Sequence, residues 1–148
     1  MSEDADIQSV LFVCSYNVVR SPMAELLLKS KSRSKLFIRS AGVYEGGESD
    51  VFAIAVMQEK GLDLEPHIPC SLRDLNDGSF DLVVALTDEA FKYVTEQYRT
   101  ESVDIEFWPT YDATSTMGSR DTKMGAYREV RDQLDAKIKD RFAKWVQI

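Results

Sequence analysis

The chain has 148 residues, of which 44% are hydrophobic and 29% are charged. That length and composition suit one globular domain with a sizeable core, and they exclude a fibre, a disordered tail or a disulfide-stapled miniprotein. The 25 acidic and 18 basic residues give a formal net charge of −7. This is the wrong sign for a nucleic-acid-binding protein, whose affinity comes largely from neutralising phosphates.

The first residues of the chain, its cysteines and its apolar runs indicate the cellular compartment of the protein. Two cysteines cannot form a disulfide framework, and neither stands at a metal-ligand spacing, which favours a reducing, cytoplasmic compartment. Residues 1–6 lack the basic residues of a signal peptide, and no apolar run approaches membrane-spanning length. We expect a cytoplasmic protein without a membrane partner, formed by a single domain over residues 1–148 whose residues 1–7 are a flexible tail.

The first predicted strand and helix flank a short loop. Residues 10–14 form a continuous apolar run of strand-forming residues, as in a central parallel strand that is covered on both faces. Pro22 suits the first turn of a helix, and apolar residues follow it at helical spacing to about Lys29. Residues 14–21 are therefore predicted to be a strand-to-helix loop.

The rest of the chain repeats this alternation. We predict further strands at residues 36–40, 80–86 and 103–108, and further helices at 49–60, after Thr87 or Asp88, and at 122–146. Such alternation indicates an α/β fold, a small doubly wound, four-stranded parallel sheet with helices on both faces. Because ligands bind beyond the carboxyl ends of such strands, the loops after the first and fourth strands should meet at one crevice.

The loop after the first strand carries a candidate anion site. It reads Cys14, five residues, Arg20 and Ser21, followed by Pro22. A loop this short can point successive backbone N–H groups at an oxyanion, and the helix amino end adds positive potential. The same field stabilises a thiolate, and Arg20 can bind two phosphate oxygens in bidentate geometry. Cys14 alone could be a buried strand-end cysteine, but the whole arrangement favours an oxyanion loop.

At these residues the sequence resembles the low-molecular-weight protein-tyrosine phosphatase family, whose members share the Cys-x5-Arg-Ser loop near the amino terminus. Similar features lie along nearly the whole chain: Met23-Ala24-Glu25, Ser40-Ala41-Gly42, Gly61-Leu62-Asp63 before His67, Phe80-Asp81 and Trp108-Pro109. The resemblance implies hydrolysis of phosphotyrosine-type phosphomonoesters through a phosphocysteine intermediate. The substrate would be a phosphotyrosine-containing protein or a small aryl phosphate, the product inorganic phosphate, and no cofactor or metal would be needed.

The resemblance also implies a role for each matching loop residue. Cys14 would be the nucleophile, Arg20 would bind phosphate and stabilise the transition state, and Ser21 would hydrogen-bond the thiolate. The residues between them would contact the substrate, together with Ser21: Ser15, Tyr16, Asn17, Val18 and Val19.

Asn17 would, in addition, take a left-handed backbone conformation and be held by hydrogen bonds to Ser40 and His67, both loop-supporting residues. His67, the only histidine, could otherwise be a partly exposed loop residue. A lone histidine without a second ligand at a suitable spacing does not indicate a metal site.

The general acid of the family is an aspartate in an Asp-Pro-aromatic loop after the fourth strand. Asp112 stands at the expected distance after Trp108 and before the final helix. We predict that it is the acid in the first step and the base that activates water in the second, with Asp104 and Asp121 as alternatives. No proline follows Asp112, which leaves the loop less restrained.

Two departures from the family fall inside the loop. Tyr16 stands where the family usually has glycine, and Val19 stands where many members have a second cysteine. Phosphotyrosine needs a deep slot with aromatic sides, and Tyr16, Tyr44 and Tyr111 are candidate walls. Each of them could instead be an ordinary surface tyrosine.

Two other functions remain open from the sequence. An arsenate reductase would use the same oxyanion loop, but it would need further cysteines for its disulfide relay, and only Cys70 remains. A phosphate or phosphopeptide binding module with weak or no catalysis is suggested by Tyr16 and by the altered acid loop. The sequence does not distinguish phosphotyrosine, phosphoarginine and small aryl phosphates as physiological substrates, and it does not give the oligomeric state.

Overall fold

A computed structural model describes residues 7–32, 35–75 and 79–145. Within these ranges four strands alternate with four helices. The strands are β1 (Ser9–Cys14), β2 (Phe37–Gly42), β3 (Leu82–Ala85) and β4 (Asp104–Phe107), and the helices are α1 (Arg20–Lys31), α2 (Val51–Gln58), α3 (Asp88–Gln97) and α4 (Arg120–Arg141). Short 3₁₀ turns at Leu72–Asp74 and Ala113–Ser115 follow α2 and β4.

The four strands pair in parallel, in the order β2-β1-β3-β4. Val10 and Phe12 of β1 pack in the core with α1, α2 and α4, whereas Leu11 and Val13 pack on the other face with residues of α3. Burial on both faces explains the continuous apolar run of β1. The predicted fold class is confirmed. The strand order reverses between β1 and β3, which is where a doubly wound sheet opens a crevice beyond its carboxyl ends.

Several predicted boundaries differ from the observed ones. Helix α1 begins at Arg20 rather than Pro22, and α2 begins only after Asp50, whose carboxylate accepts hydrogen bonds from the N–H groups of residues 52 and 53. Helix α4 ends at Arg141, before the predicted limit at residue 146, which lies outside the described residues. No helix in the described ranges is both long and apolar enough to cross a membrane.

The predicted flexible tail is wrong at its last residue. Ile7 is only 4% exposed and packs in the core cluster beside β1, because burying an isoleucine removes apolar surface from water. Residues 1–6 of the predicted tail lie outside the described part of the chain.

Charged side chains tie the end of α2 to α4. Glu59 accepts from Arg128 Nη2 and from Arg131 Nη1, each at 2.8 Å. Arg131 is 5% exposed and its Nη1 also donates to the carbonyl of Val56 at 2.8 Å. Hydrogen bonds from Arg128 and then Arg131 lower the pKa of Glu59 to about 2.

We expect Glu59→Gln to lower the melting temperature at pH 7 and to have almost no effect near pH 2. A carboxyl group whose pKa is lower in the folded state stabilises the fold above its ordinary value of 4.5, and this contribution disappears as pH falls through the folded value. Thermal unfolding from pH 7 to pH 2 measures the difference. Glu96→Gln, which removes an exposed pair with Arg99, is the matched control. If the difference in melting temperature between wild type and Glu59→Gln stays constant with pH, the lowered pKa of Glu59 is contradicted.

Candidate active site

An open cleft of ≈ 590 Å³ lies at the carboxyl ends of the strands. The loops after β1, β3 and β4 meet there, because β3 is paired between β1 and β4. The three predicted catalytic residues, Cys14, Arg20 and Asp112, all line the cleft. The loop residues that line it are Ser15, Tyr16, Val18 and Val19.

The thiol of Cys14 is surrounded by hydrogen-bonding groups at the end of β1. Cys14 is 2% exposed. Its Sγ lies 2.8 Å from Ser21 Oγ and accepts from the backbone N–H of Asn17 at 3.3 Å. A hydroxyl and an N–H that face one sulfur can stabilise it as a thiolate, which is the nucleophilic form of cysteine.

Asn17 holds the loop in shape. Its φ is +60°, the only positive value among the non-glycine residues that the structure describes. Its Nδ2 donates to Ser21 Oγ at 2.8 Å and to Ser40 Oγ at 2.9 Å, and its carbonyl oxygen lies 3.0 Å from His67 Nε2. Its Oδ1 accepts from the N–H of Cys70 at 2.9 Å. The left-handed backbone and the contacts with Ser40 and His67 are those that the resemblance implied, whereas the contact from Cys70 was not foreseen.

Two further residues support the loop from outside it. Ser40 donates to Glu25 Oε1, and the other oxygen of Glu25 pairs with Lys29 at 2.5 Å. Glu25 follows Ser21 by four residues on α1, a helical spacing that could have indicated that both face the same side. Gly42 ends β2 against the loop, where an added Cβ would lie 2.7 Å from the carbonyl carbon of Tyr16. Only glycine permits that approach.

Asn17 and Ser21, which were predicted to contact the substrate, do not line the cleft. Both are fully buried and neither lines the cleft, because their polar groups are used within the loop and toward Ser40. Their side chains support the loop, and their contact with a substrate stays a prediction.

The guanidinium of Arg20 connects the first loop to the loop after β4. Its Nη1 donates to the carbonyl of Thr110 at 3.1 Å. Thr110 is itself anchored, since its N–H donates to the carbonyl of Leu86 at 3.1 Å and its hydroxyl donates to that of Trp108 at 2.8 Å. A guanidinium has five N–H donors, so one bond to Thr110 leaves donors for phosphate oxygens.

Asp112 caps the 3₁₀ turn Ala113–Ser115. Its Oδ1 accepts from the backbone N–H of Thr114 at 3.0 Å and from the Thr114 hydroxyl at 2.5 Å. These bonds restrain the carboxylate although no proline follows it. The alternatives lie elsewhere: Asp104 begins β4, at the opposite end of the strand from the cleft, and Asp121 lies in the first turn of α4 and does not line the cleft.

The three predicted aromatic walls are placed differently from one another. Tyr16 lines the cleft and is 51% exposed. Tyr44 does not line it but packs beside Tyr16, with ring centroids 5.4 Å apart. Tyr111 also lies outside the lining, because its hydroxyl is engaged with Thr116 Oγ1 at 2.9 Å. Of the three candidate walls, Tyr16 lines the cleft, whereas contact of Tyr44 or Tyr111 with a substrate stays a prediction.

Glu89 is a cleft residue that sequence reasoning missed. Its Oε1 accepts from Ser15 Oγ at 2.9 Å, and its Oε2 accepts from the Tyr44 hydroxyl at 2.8 Å. The bond from Tyr44, and then the bond from Ser15, lower the pKa of Glu89. The sequence could have indicated Glu89, because it lies in the first helical turn after β3. Residues that directly follow neighbouring parallel strands lie at the same edge of the sheet.

Comparison with known proteins is consistent with this geometry. Residues 9–147 match the family model of the low molecular weight phosphotyrosine protein phosphatases. The chain belongs to this family.

Relatives in this family carry different names. A protein-arginine-phosphatase of Geobacillus stearothermophilus is 33% identical over 144 residues, which are 93% of this chain and 95% of that protein. A glutaredoxin arsenate reductase of Synechocystis is 27% identical over 93% of this chain and 98% of that protein. The solved structure of a low molecular weight protein tyrosine phosphatase from T. tengcongensis superposes with a TM-score of 0.79 at 26% identity, covering 93% of this chain and 99% of that one.

Proposed function

We propose that the protein is a phosphatase that hydrolyses phosphotyrosine-type phosphomonoesters through a phosphocysteine intermediate. The observation that carries the proposal is that Cys14, Arg20 and Asp112 line one cleft. They supply the nucleophile, the phosphate-binding cation and the proton donor that this reaction needs. Membership of the family supports the same reaction class.

In the first step the Cys14 thiolate attacks phosphorus, so that the S–P bond forms as the P–O bond to the aryl group breaks. Backbone N–H groups of the loop and the guanidinium of Arg20 bind the phosphoryl oxygens and stabilise their charge. Asp112 gives its proton to the leaving aryl oxygen. That transfer is most valuable when the leaving oxygen is strongly basic.

In the second step the Asp112 carboxylate accepts a proton from water as the water oxygen attacks phosphorus. The S–P bond breaks, inorganic phosphate forms, and Cys14 leaves as a thiolate. The Ser21 hydroxyl, 2.8 Å from Sγ, can donate to that thiolate as charge returns to it. Asp112 is again protonated, so the catalytic groups are regenerated.

The structure gives less support to the two alternative functions. An arsenate reductase would relay a disulfide through further cysteines, and Cys70, the only other cysteine, forms no disulfide with Cys14 and directs its Sγ to the carbonyl of Ser71 at 3.3 Å. A pure binding module has no need of a carboxylate held in the cleft, and Asp112 is held there by two hydrogen bonds.

A substrate panel tests the proposal. We expect the wild type to release phosphate from p-nitrophenyl phosphate and from a phosphotyrosine peptide. A phosphoarginine peptide belongs in the panel because one relative is named a protein-arginine-phosphatase, and arsenate with thioredoxin tests the reductase. Phosphate release only from phosphoarginine would change the substrate class. Arsenate-dependent oxidation of thioredoxin without phosphate release, or phosphate binding without turnover, would instead support one of the two alternatives.

A further inference from the structure

Glu89 forms a fixed part of the cleft wall beside the nucleophile. One carboxylate oxygen accepts from Ser15 Oγ at 2.9 Å and the other from the Tyr44 hydroxyl at 2.8 Å. Ser15 directly follows Cys14, and Tyr44 packs against the Tyr16 ring that lines the same cleft. Two hydrogen bonds from different segments therefore set the orientation of the carboxylate next to the predicted phosphate loop.

The charge of Glu89 is attracted by Arg20, but that attraction lowers the pKa of Glu89 less than its two hydrogen bonds do. Both of its hydrogen-bond donors are neutral hydroxyls, and the bond from Tyr44 is the main reason that the pKa of Glu89 is lowered, so the group is ionised at neutral pH. Among the described residues, Arg20 is the one basic side chain that lines the cleft. Glu89 lines the same cleft as Arg20, so a substrate whose phosphoryl oxygens bind Arg20 still lies close to the negative charge of Glu89.

We propose that Glu89 is a specificity-determining residue, which favours substrates with a lysine or arginine next to the phosphorylated tyrosine and disfavours those with an acidic residue there. The proposal rests on the phosphatase function proposed above. A basic side chain would gain an opposite charge at a fixed position, whereas an acidic one would be repelled. Asp88 lines the same cleft and adds potential of the same sign, so a small preference should persist without Glu89.

The test uses phosphotyrosine peptides that differ only in the residues on either side of the tyrosine, which are arginine, alanine or glutamate. In the wild type at low salt we expect kcat/KM to be about 5-fold higher with arginine than with glutamate, since Glu89 is exposed and exposed pairs are weak. In Glu89→Gln, which keeps the side-chain length and removes the charge, the ratio should fall to about 2-fold or less. Added salt should reduce the wild-type ratio.

Two further variants separate this role from a structural one. Glu96→Gln removes the same charge from the same helix, but Glu96 is exposed, pairs with Arg99 and does not line the cleft, so the wild-type ratio should persist. Tyr44→Phe keeps the Glu89 charge and removes one of the bonds that orient it, so its ratio should lie between those of the wild type and Glu89→Gln. Tyr44→Phe also keeps the proposal testable if Glu89→Gln does not fold.

The possible failures can be told apart with p-nitrophenyl phosphate, which has no flanking charge. If the wild type hydrolyses it but shows equal kcat/KM for the arginine and glutamate peptides, or if Glu89→Gln keeps the wild-type ratio, the role of Glu89 is overturned. If the wild type fails to hydrolyse it or any phosphotyrosine peptide, the proposed function itself is overturned, and the role of Glu89 falls with it.

Discussion

Cys14→Ser is expected to lower the turnover of p-nitrophenyl phosphate by about 10⁴-fold or more, as the loss of other enzymatic nucleophiles does. A serine hydroxyl is a far weaker nucleophile than a thiolate, because it still carries its proton. The loop offers no general base to remove that proton. The phosphate-binding groups are untouched. Phosphate should therefore still bind to the variant, as measured by calorimetry, while its steady-state rate falls close to the uncatalysed rate.

The matched control for this change is Cys70→Ser. Cys70 contributes its backbone N–H to Asn17, and serine has the same N–H, so this variant should keep wild-type turnover. A Cys14→Ser protein that retained a substantial fraction of wild-type activity would show that Cys14 is not the nucleophile of the reaction. Loss of activity in Cys70→Ser would instead mean that the Cys70 side chain helps to hold the loop.

Asp112→Asn is expected to lower kcat/KM for phenyl phosphate by about 10²-fold or more, and to lower it much less for p-nitrophenyl phosphate. Phenolate needs a proton as it leaves, whereas nitrophenolate is stable enough to leave without one. The parameter to measure is kcat/KM, because it reports the steps up to formation of the phosphoenzyme and excludes the water-activating step that we also propose for Asp112.

Asparagine suits this test because its amide oxygen can still accept the two bonds from Thr114 that position Asp112. Asp121→Asn makes the same substitution on a residue outside the cleft and should leave both substrates unaffected. Equal losses on the two substrates in Asp112→Asn would mean that Asp112 positions the loop without supplying the proton, and the assignment of the acid would then have to change.

The parts of the site that the sequence predicted are those that short segments determine. A continuous apolar strand, a loop of fixed length and a helix with proline in its first turn place Cys14 and Arg20 together, because all three are consecutive in the chain. Asp112 could be chosen over Asp104 because strand direction decides which end of β4 faces the cleft. Residues before a strand and residues after it lie at opposite edges of a parallel sheet.

The parts that were missed depend on distant segments or on the direction of one side chain. Ser15 and Glu89 are 74 residues apart, and they meet only because β3 is inserted next to β1, a strand order that hydrophobic periodicity does not encode. Tyr111 lies on the loop after β4, which was expected near the mouth of the cleft. Its hydroxyl bonds locally to Thr116 and the residue does not line the cleft, and apolar patterning carries no information about such a choice.

The hydrogen bonds that Asn17 makes to distant residues determine at what stage of folding the loop can form. Its left-handed backbone is less favourable than a right-handed one, and its partners outside the loop come from β2 and from the segment after α2, at Ser40, His67 and Cys70. Those contacts span 23, 50 and 53 residues of chain, so closing them belongs to the slow, non-local part of folding. A peptide with the Cys-x5-Arg-Ser motif alone would have the sequence of the loop but not its shape.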